Sequence, residues 1–282
     1  MENRILLVDG SNLLFQMFFG MPGRIVNREG VGIWGVMGFV GALLKMIRWT
    51  EPSHAAVLFD GEHENGRAAI DGTYKANRAD YGDVPEEKNP FSQLGYIKDA
   101  LRYLGIAQAE TADCEADDWI AGYARRYGGE NEVVIASLDS DFFQLIGERV
   151  TVLRYRGKNS CRCGEAYLRE KYGIAPGQYA DFKALVGDAA DNVRGVRGVG
   201  PKTACALLEQ FGTLESILKN AAEIRKKAVG KSIAENAGRL EKNYRLIHLE
   251  GREELPFSLE QMACSDGGKT TVEVLRGIGL MP

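Results

Sequence analysis

Residues 5–12 read ILLVDGSN: four apolar side chains, then aspartate, glycine and two small polar residues. So short an apolar run, closed by Asp-Gly, reads as a strand over 5–9 that enters a turn. The pattern recurs in AAVLF (55–59), followed by Asp60, and in VVIAS (133–137), followed by Leu138-Asp139-Ser140-Asp141. VTVLRY (150–155) is a fourth candidate strand. Between these runs, residues 33–49, 91–104 and 115–127 carry helical periodicity. Strands alternating with helices predict βαβ units and a mostly parallel central sheet flanked by helices.

Strand signals fade after about residue 160. Segments 165–172, 178–186, 202–210, 213–228 and 232–249 read as helices broken by glycine and proline. The expected organisation is an α/β domain over 1–162, an all-helical subdomain over 163–250, and an unassigned tail over 251–282.

Composition sets limits. The 282 residues are 45% hydrophobic and 26% charged, with a net charge of −4. No apolar run approaches the roughly 20 residues that span a bilayer. The opening MENRILLVDG starts a strand at once and lacks a signal-peptide layout, so a cytoplasmic location is expected. The cysteines (114, 161, 163, 205 and 264) are odd in number and irregularly spaced, which argues against a disulfide framework. Cys161-Arg-Cys163 has no second Cys/His pair to complete a zinc site.

In an open α/β sheet, ligands bind beyond the carboxyl ends of the strands. Asp9 ends the first strand, Asp60 follows the second, and Asp139 and Asp141 follow the third. CEADDWI (114–120) places Glu115, Asp117 and Asp118 at the start of a helix just upstream of that third strand. Taken singly, each is ordinary turn chemistry or helix-dipole complementation. Together they repel one another unless protons or cations intervene. Oxygen-only ligands suit Mg²⁺ or Mn²⁺. Two such ions can clamp the attacking and leaving oxygens of a phosphodiester. An aspartyl-phosphate phosphatase would want Asp-x-Asp after the first strand, where this chain has Asp9-Gly10-Ser11.

The second informative stretch is GDAADNVRGVRGVGPKTACALL (187–208). Gly198-Val199-Gly200 forms a tight turn, and Pro201 stands where a helix begins. Backbone N–H groups at such a start make a phosphate seat, and Arg194, Arg197 and Lys202 add positive charge. This is a helix-hairpin-helix layout for gripping a nucleic-acid backbone without reading bases, the alternative being a plain helix–helix turn, which glycine and proline also make. Asp188 and Asp191 just precede it and are candidates for a second metal site. Without these nine carboxylates the net charge would be +5, and two divalent ions would bring the intact chain to zero. Residues 219–245 hold eight Lys/Arg against three Glu, so the acidic total is compatible with local basic patches.

LLVDGSNLLF, VLFDG, YKANR, EADDWIAGYA, ASLDSDFFQL and GDAADNVRGVRGVGPKTA together resemble the 5′-nuclease family. That family takes in the 5′→3′ exonuclease domain of bacterial DNA polymerase I, phage 5′-nucleases and flap endonucleases. The matching pieces cover about residues 5–210 in the family's order, and NYRLIHL (243–249) is similar to its closing helix. The resemblance implies a PIN-like nuclease domain, a helical arch over about 67–95, and a helix-hairpin-helix subdomain. It implies two Mg²⁺ ions, with Mn²⁺ as substitute, and K⁺ on the hairpin backbone. Asp9, Asp60, Glu115, Asp117 and Asp139 would surround the more catalytic ion, and Asp118, Asp141, Asp188 and Asp191 the second. Asp9, Asp60 and Asp117, with Lys75 and Arg78 from the arch, would carry the chemistry. Tyr74 would pack there or stack on a base. Arg194, Arg197, Gly198, Gly200, Lys202 and Thr203 would hold the duplex.

Two departures stand out. Cys114 occupies a position where the family often has an aromatic residue, and YGDVPEEKNPFSQLG (81–95) has two prolines and two glycines, which argues against a continuous arch helix. With no polymerase or proofreading segment following, a stand-alone or phage protein is expected. The implied activity is 5′→3′ exonuclease and flap endonuclease action on branched or 5′-ended DNA in replication or repair. The implied partners are DNA and a polymerase or ligase, for a monomeric protein. The alternatives are a ribonuclease of the related PIN-like fold, whose members generally lack the hairpin, and a non-catalytic DNA-junction binding module, which would have lost metal ligands.

Overall fold

The computed structural model describes residues 3–61, 66–77, 79–265 and 268–282. Among them, β1 (Arg4–Asp9), β2 (His54–Phe59), β3 (Ala107–Glu110), β4 (Glu132–Ala136), β5 (Val150–Arg154) and β6 (Cys161–Cys163) form the main sheet, in the order β3-β2-β1-β4-β5-β6. The first five are mutually parallel, and β6 runs antiparallel on β5. The strand order reverses beside β1, since β2 and β3 build to one side and β4 and β5 to the other. A crevice is expected at that switch, beyond the carboxyl ends of β1 and β4.

The period of two along β1 explains the layers. Ile5 and Leu7 face one core, and Leu6 and Val8 face the other. All four are fully buried, each contributing about 1.5–3 kcal/mol relative to exposure. The Leu6 face is covered by α1 (Gly10–Gly20), α2 (Trp34–Thr50), α4 (Leu94–Leu104) and α12 (Thr271–Gly277). The Ile5 face is covered by α5 (Ala116–Tyr127) and then by the helical half: α6 (Glu165–Tyr172), α7 (Tyr179–Val186), α8 (Pro201–Phe211), α9 (Leu214–Lys219), α10 (Lys227–Glu235) and α11 (Ala237–Ile247).

Several elements differ from the sequence expectation. Helix α1 follows β1 without a loop, capped by Asp9, whose carboxylate accepts the Asn12 amide at 2.9 Å. Gly10 permits this abrupt change, because a Cβ there would lie 2.6 Å from the Phe59 ring. Strand β3 (AQAE) has no β-branched or aromatic residue to announce it. The helix expected over 213–228 is broken into α9, a 3-10 turn at Ala221–Glu223 and the start of α10.

The expected arch has a short helix, α3 (Gly66–Ile70), turns over 72–77, and 3-10 turns at Glu86–Lys88 and Pro90–Gln93. Its base lies on the helical half: the Lys75 amide donates to the Asp191 carbonyl at 3.1 Å, and Asn192 Nδ2 to the Thr73 carbonyl at 2.8 Å. The tail folds back over the α/β half. Tyr123 Oη both donates to the Phe257 carbonyl and accepts its amide, at 3.0 and 2.9 Å. Val274 and Leu275 of α12 are fully buried.

Candidate metal centre

At the switch point, small polar side chains aim the carboxylates. Asp9 is 5% exposed, and its Oδ2 accepts the Ser137 hydroxyl at 2.8 Å. Ser137 Oγ also accepts the Asp139 amide at 3.0 Å, tying the β4 turn to β1. Asn12 Oδ1 accepts the Leu138 amide at 3.0 Å, and Ser11 Oγ accepts the Asp60 amide at 2.8 Å. Asp60 Oδ1 in turn accepts the Ala116 amide at 2.9 Å, locking the start of α5 against the end of β2.

This crowding has an electrostatic cost. Burial, then the neighbouring Asp60, pushes the Asp9 carboxyl up to about 7, although its bonds to Asn12 and Ser137 oppose the shift. Burial and Asp9 likewise raise Asp117 well above the usual carboxylate range, with Lys75 opposing and Asp139 and Asp60 reinforcing. Asp9, Asp60, Asp117 and Asp139 therefore form one mutually repelling group.

Glu115 and Asp118 face a different partner. Glu115 is 6% exposed and ion-paired with both Arg67 and Lys75. Arg67 Nη2 also reaches Asp118 Oδ1 at 2.6 Å. Burial disfavours the charged Lys75, but Tyr74, Glu115, Asp117 and Asp191 outweigh it, and the ammonium stays protonated. The expected grouping of Asp118 with Asp141, Asp188 and Asp191 is not what the structure places together. Its carboxylate is held on Arg67, and its carbonyl accepts the Arg252 amide at 3.0 Å.

Asp141, Asp188 and Asp191 do converge, each offering an oxygen within 4.8 Å of the others. Burial and then Asp139 push the Asp141 carboxyl up to about 7 against the pull of Lys183. Asp141 Oδ1 is buried with no hydrogen bond among the described residues, although Lys183 Nζ lies 3.2 Å away outside bonding geometry. A buried carboxylate oxygen that accepts no hydrogen bond among the described residues, beside two more carboxylates, fits a hard divalent cation. Gln144 secures this turn, with Nε2 donating to the Asp141 carbonyl at 2.8 Å and the Ile247 carbonyl at 3.1 Å. Its Oε1 accepts the Leu249 amide at 2.9 Å.

Beside the triad, β7 (Gly187–Asp188) and β8 (Val193–Arg194) lead into the hairpin. Val196 and Val199 are buried, and Gly198 adopts φ +86°, a left-handed conformation that glycine takes without strain. Gly200 caps α8 and Pro201 is its first residue. Arg194, Arg197 and Lys202 are exposed, and Thr203 is half-buried. A cleft of about 330 Å³ lies between the arch base, β8 and α11, lined in part by Asp71, Tyr74, Asn192, Arg194, Arg239 and Lys242. Tyr74 is 8% exposed, with Lys75 Nζ 4.9 Å from its ring centre, so it packs rather than presenting a face for stacking. Arg78 lies outside the described residues.

Sequence reasoning missed Ser11, Asn12, Ser137 and Gln144, which orient carboxylate-bearing turns, and Arg67 and Lys183, which neutralise carboxylates. The first three flank the acidic motifs, in VDGSN and ASLDSD, and could have been flagged as orienting groups. Arg67 and Lys183 carry no local signal.

Residues 4–173 match the 5′-3′ exonuclease N-terminal resolvase-like domain, and residues 174–270 the 5′-3′ exonuclease C-terminal SAM fold. DNA polymerase I of Thermus aquaticus is 36% identical over 260 residues, covering 92% of this chain and 30% of the polymerase. DNA polymerase I of Rhizobium leguminosarum is 35% identical over 266 residues, covering 92% and 25%. The chain thus spans less than a third of the length of these relatives. Among solved structures, T5 5′-exonuclease with bound divalent zinc ions superposes with a TM-score of 0.71 at 23% identity, covering 87% of this chain and 89% of that one. The catalytic core of Rad2 in complex with DNA substrate gives 0.61 at 16% identity, covering 98% and 93%. At these identities the likeness is one of fold.

Proposed function

This chain belongs to the 5′-3′ exonuclease family, and from that premise we propose that it is a structure-selective 5′-nuclease. It hydrolyses phosphodiester bonds of branched or 5′-ended DNA as a 5′→3′ exonuclease and flap endonuclease. The observation that carries this reading is the pair of carboxylate groups at the sheet's switch point. Asp9, Asp60, Asp117 and Asp139 sit beside the converging Asp141, Asp188 and Asp191.

The donor set fits Mg²⁺ or Mn²⁺, and two bound ions would supply an activated water and stabilise the leaving oxygen. Asp9, Asp60, Asp117 and Asp139 would hold the first ion and Asp141, Asp188 and Asp191 the second, while Glu115, expected with the first, is paired with Arg67 and Lys75. Ser137, Asn12 and Ser11 keep those turns in register, which matters because a misplacement of about 1 Å costs rate steeply. Lys75 and Arg78 contact the scissile phosphate. Arg194, Arg197 and Lys202, with the backbone of Gly198, Gly200 and Thr203, grip the duplex. K⁺ on the hairpin backbone belongs to the same reading.

In this assignment residues 1–162 carry the chemistry, residues 163–250 hold DNA, and residues 251–282 pack on the α/β half. The protein acts as a monomer inside the cell, alongside a DNA polymerase or ligase that fills and seals the processed ends.

The test uses labelled 5′-flap DNA with and without Mg²⁺, for the wild type and Asp60→Ala. Metal-dependent cleavage lost in the variant supports the nuclease. Tight binding with no cleavage in Mg²⁺ or Mn²⁺ leaves a junction-binding module, and preferential cleavage of RNA leaves a ribonuclease.

A further inference from the structure

Lys183 projects from α7 into the acidic triad. Its Nζ pairs with Asp188 and lies 3.2 Å from Asp141 Oδ1. Its side chain is 13% exposed, and those of Asp141 and Asp188 are 10% and 12%. An ammonium so enclosed occupies space in which a divalent ion would have to sit close to the same oxygens. Lys183 differs from Lys75 and Arg67, which also pair with carboxylates but come from the arch segment. It is rooted in a helix whose flanking Phe182, Ala184 and Leu185 are buried, so substrate docking does not carry it away.

Resting on the metal reading above, we propose that Lys183 is a resident counter-cation of the Asp141–Asp188–Asp191 group. It neutralises the triad without metal and must be displaced by the second divalent ion. Among the described residues, the cations beside the first group, Lys75 and Arg67, come from the arch segment and not from a packed helix. The two sites are therefore intrinsically unequal: the first fills at lower metal concentration, and the second fills only when a divalent ion outcompetes a tethered ammonium. This keeps the triad folded in metal-poor conditions at the expense of second-site affinity.

The test is a calorimetric titration of the full chain with Mn²⁺, without DNA, for the wild type and Lys183→Met. The weaker binding step is expected to strengthen about tenfold in Lys183→Met, within the usual range of coupling between competing ligands. The tighter step should stay put, and the variant should melt at a lower temperature in EDTA. A second step that appears only in Lys183→Met supports the proposal equally. A weaker step that is unchanged or further weakened overturns it while leaving the metal reading intact. A wild type that binds no Mn²⁺ removes the metal reading itself. Should Lys183→Met fail to fold, acylation of wild-type lysines read by peptide mass spectrometry replaces it. Labelling of Lys183 should increase when Ca²⁺ is added; no change or a decrease overturns the proposal.

Discussion

In the protein without DNA, the Lys75 ammonium is closed onto Glu115. To reach a scissile phosphate it must leave that pair, and Arg67 remains on Glu115 to hold its charge. Lys75→Ala should therefore lower cleavage by about 10²–10³-fold, the usual cost of losing one preorganised charge on a transition state. Flap binding in Ca²⁺ should change little. Single-turnover cleavage beside a binding isotherm separates the two effects. An equal loss in both would make Lys75 a binding residue only. Because its neighbours keep Lys75 protonated in the DNA-free protein, no inflection from it should appear in the pH dependence of kcat/KM, which reports the free enzyme.

The raised carboxyls make metal-free stability depend on pH. Asp9 and Asp141 move from 3.8 in the open chain to about 7 when folded, so the folded state binds the extra protons. Stability is then lost as pH rises through about 7 and regained on acidification towards 6. Each carboxyl contributes on the order of 1 kcal/mol across that window, or a few degrees in Tm. Thermal melts in EDTA should run higher at pH 6 than at pH 8. Added Mg²⁺ should raise Tm more at pH 8, where protons no longer compete for the ligands. A metal-free Tm that rises with pH over this interval would contradict the assignment.

The strands that build the site were legible because β1, β2 and β4 are apolar runs, with Asp9 closing β1, Asp60 directly after β2 and Asp139 three positions past the end of β4. Strand β3 was not, since AQAE becomes a strand only by pairing with β2. Helix α1 was hidden because it starts at Gly10, one residue after the strand, leaving no loop to mark it. Within the site, the acidic residues could be named but their neighbours could not. Asp118 lies 51 positions from Arg67, and Lys183 looks like any lysine on an amphipathic helix. Periodicity reports which face is buried; it does not report which distant cation the fold will bring to a carboxylate.

Gln144 is the link between the two halves that is easiest to test. Its amide joins the Asp141 turn to the end of α11 through three hydrogen bonds. Gln144→Ala should destabilise the protein by about 1–3 kcal/mol by leaving part-buried backbone groups unpaired. Gln144→Glu should not rescue it, because a carboxylate cannot donate to the Asp141 and Ile247 carbonyls. Chemical denaturation gives the stability, and Mn²⁺ titration should show the step assigned to the Asp141 triad weakening. Wild-type stability in Gln144→Ala would mean the three bonds are exchanged for water at no net cost.

The hairpin is expected to act through backbone phosphate alone, so its variants should weaken all DNA sequences alike. Lys202→Ala should reduce the slope of log affinity against log salt by about 1, one phosphate contact fewer. Gly198→Ala should do something different. The residue needs φ +86°, which a Cβ disfavours, so the turn itself should shift and its backbone amides should misalign. Affinity should then fall with little change in salt slope, because no cation has been removed. Binding measured in Ca²⁺ from low to moderate salt distinguishes these signatures. If Lys202→Ala leaves the slope untouched, Lys202 is not on a phosphate, and the grip passes to Arg194 and Arg197, whose exposed side chains flank the same turn.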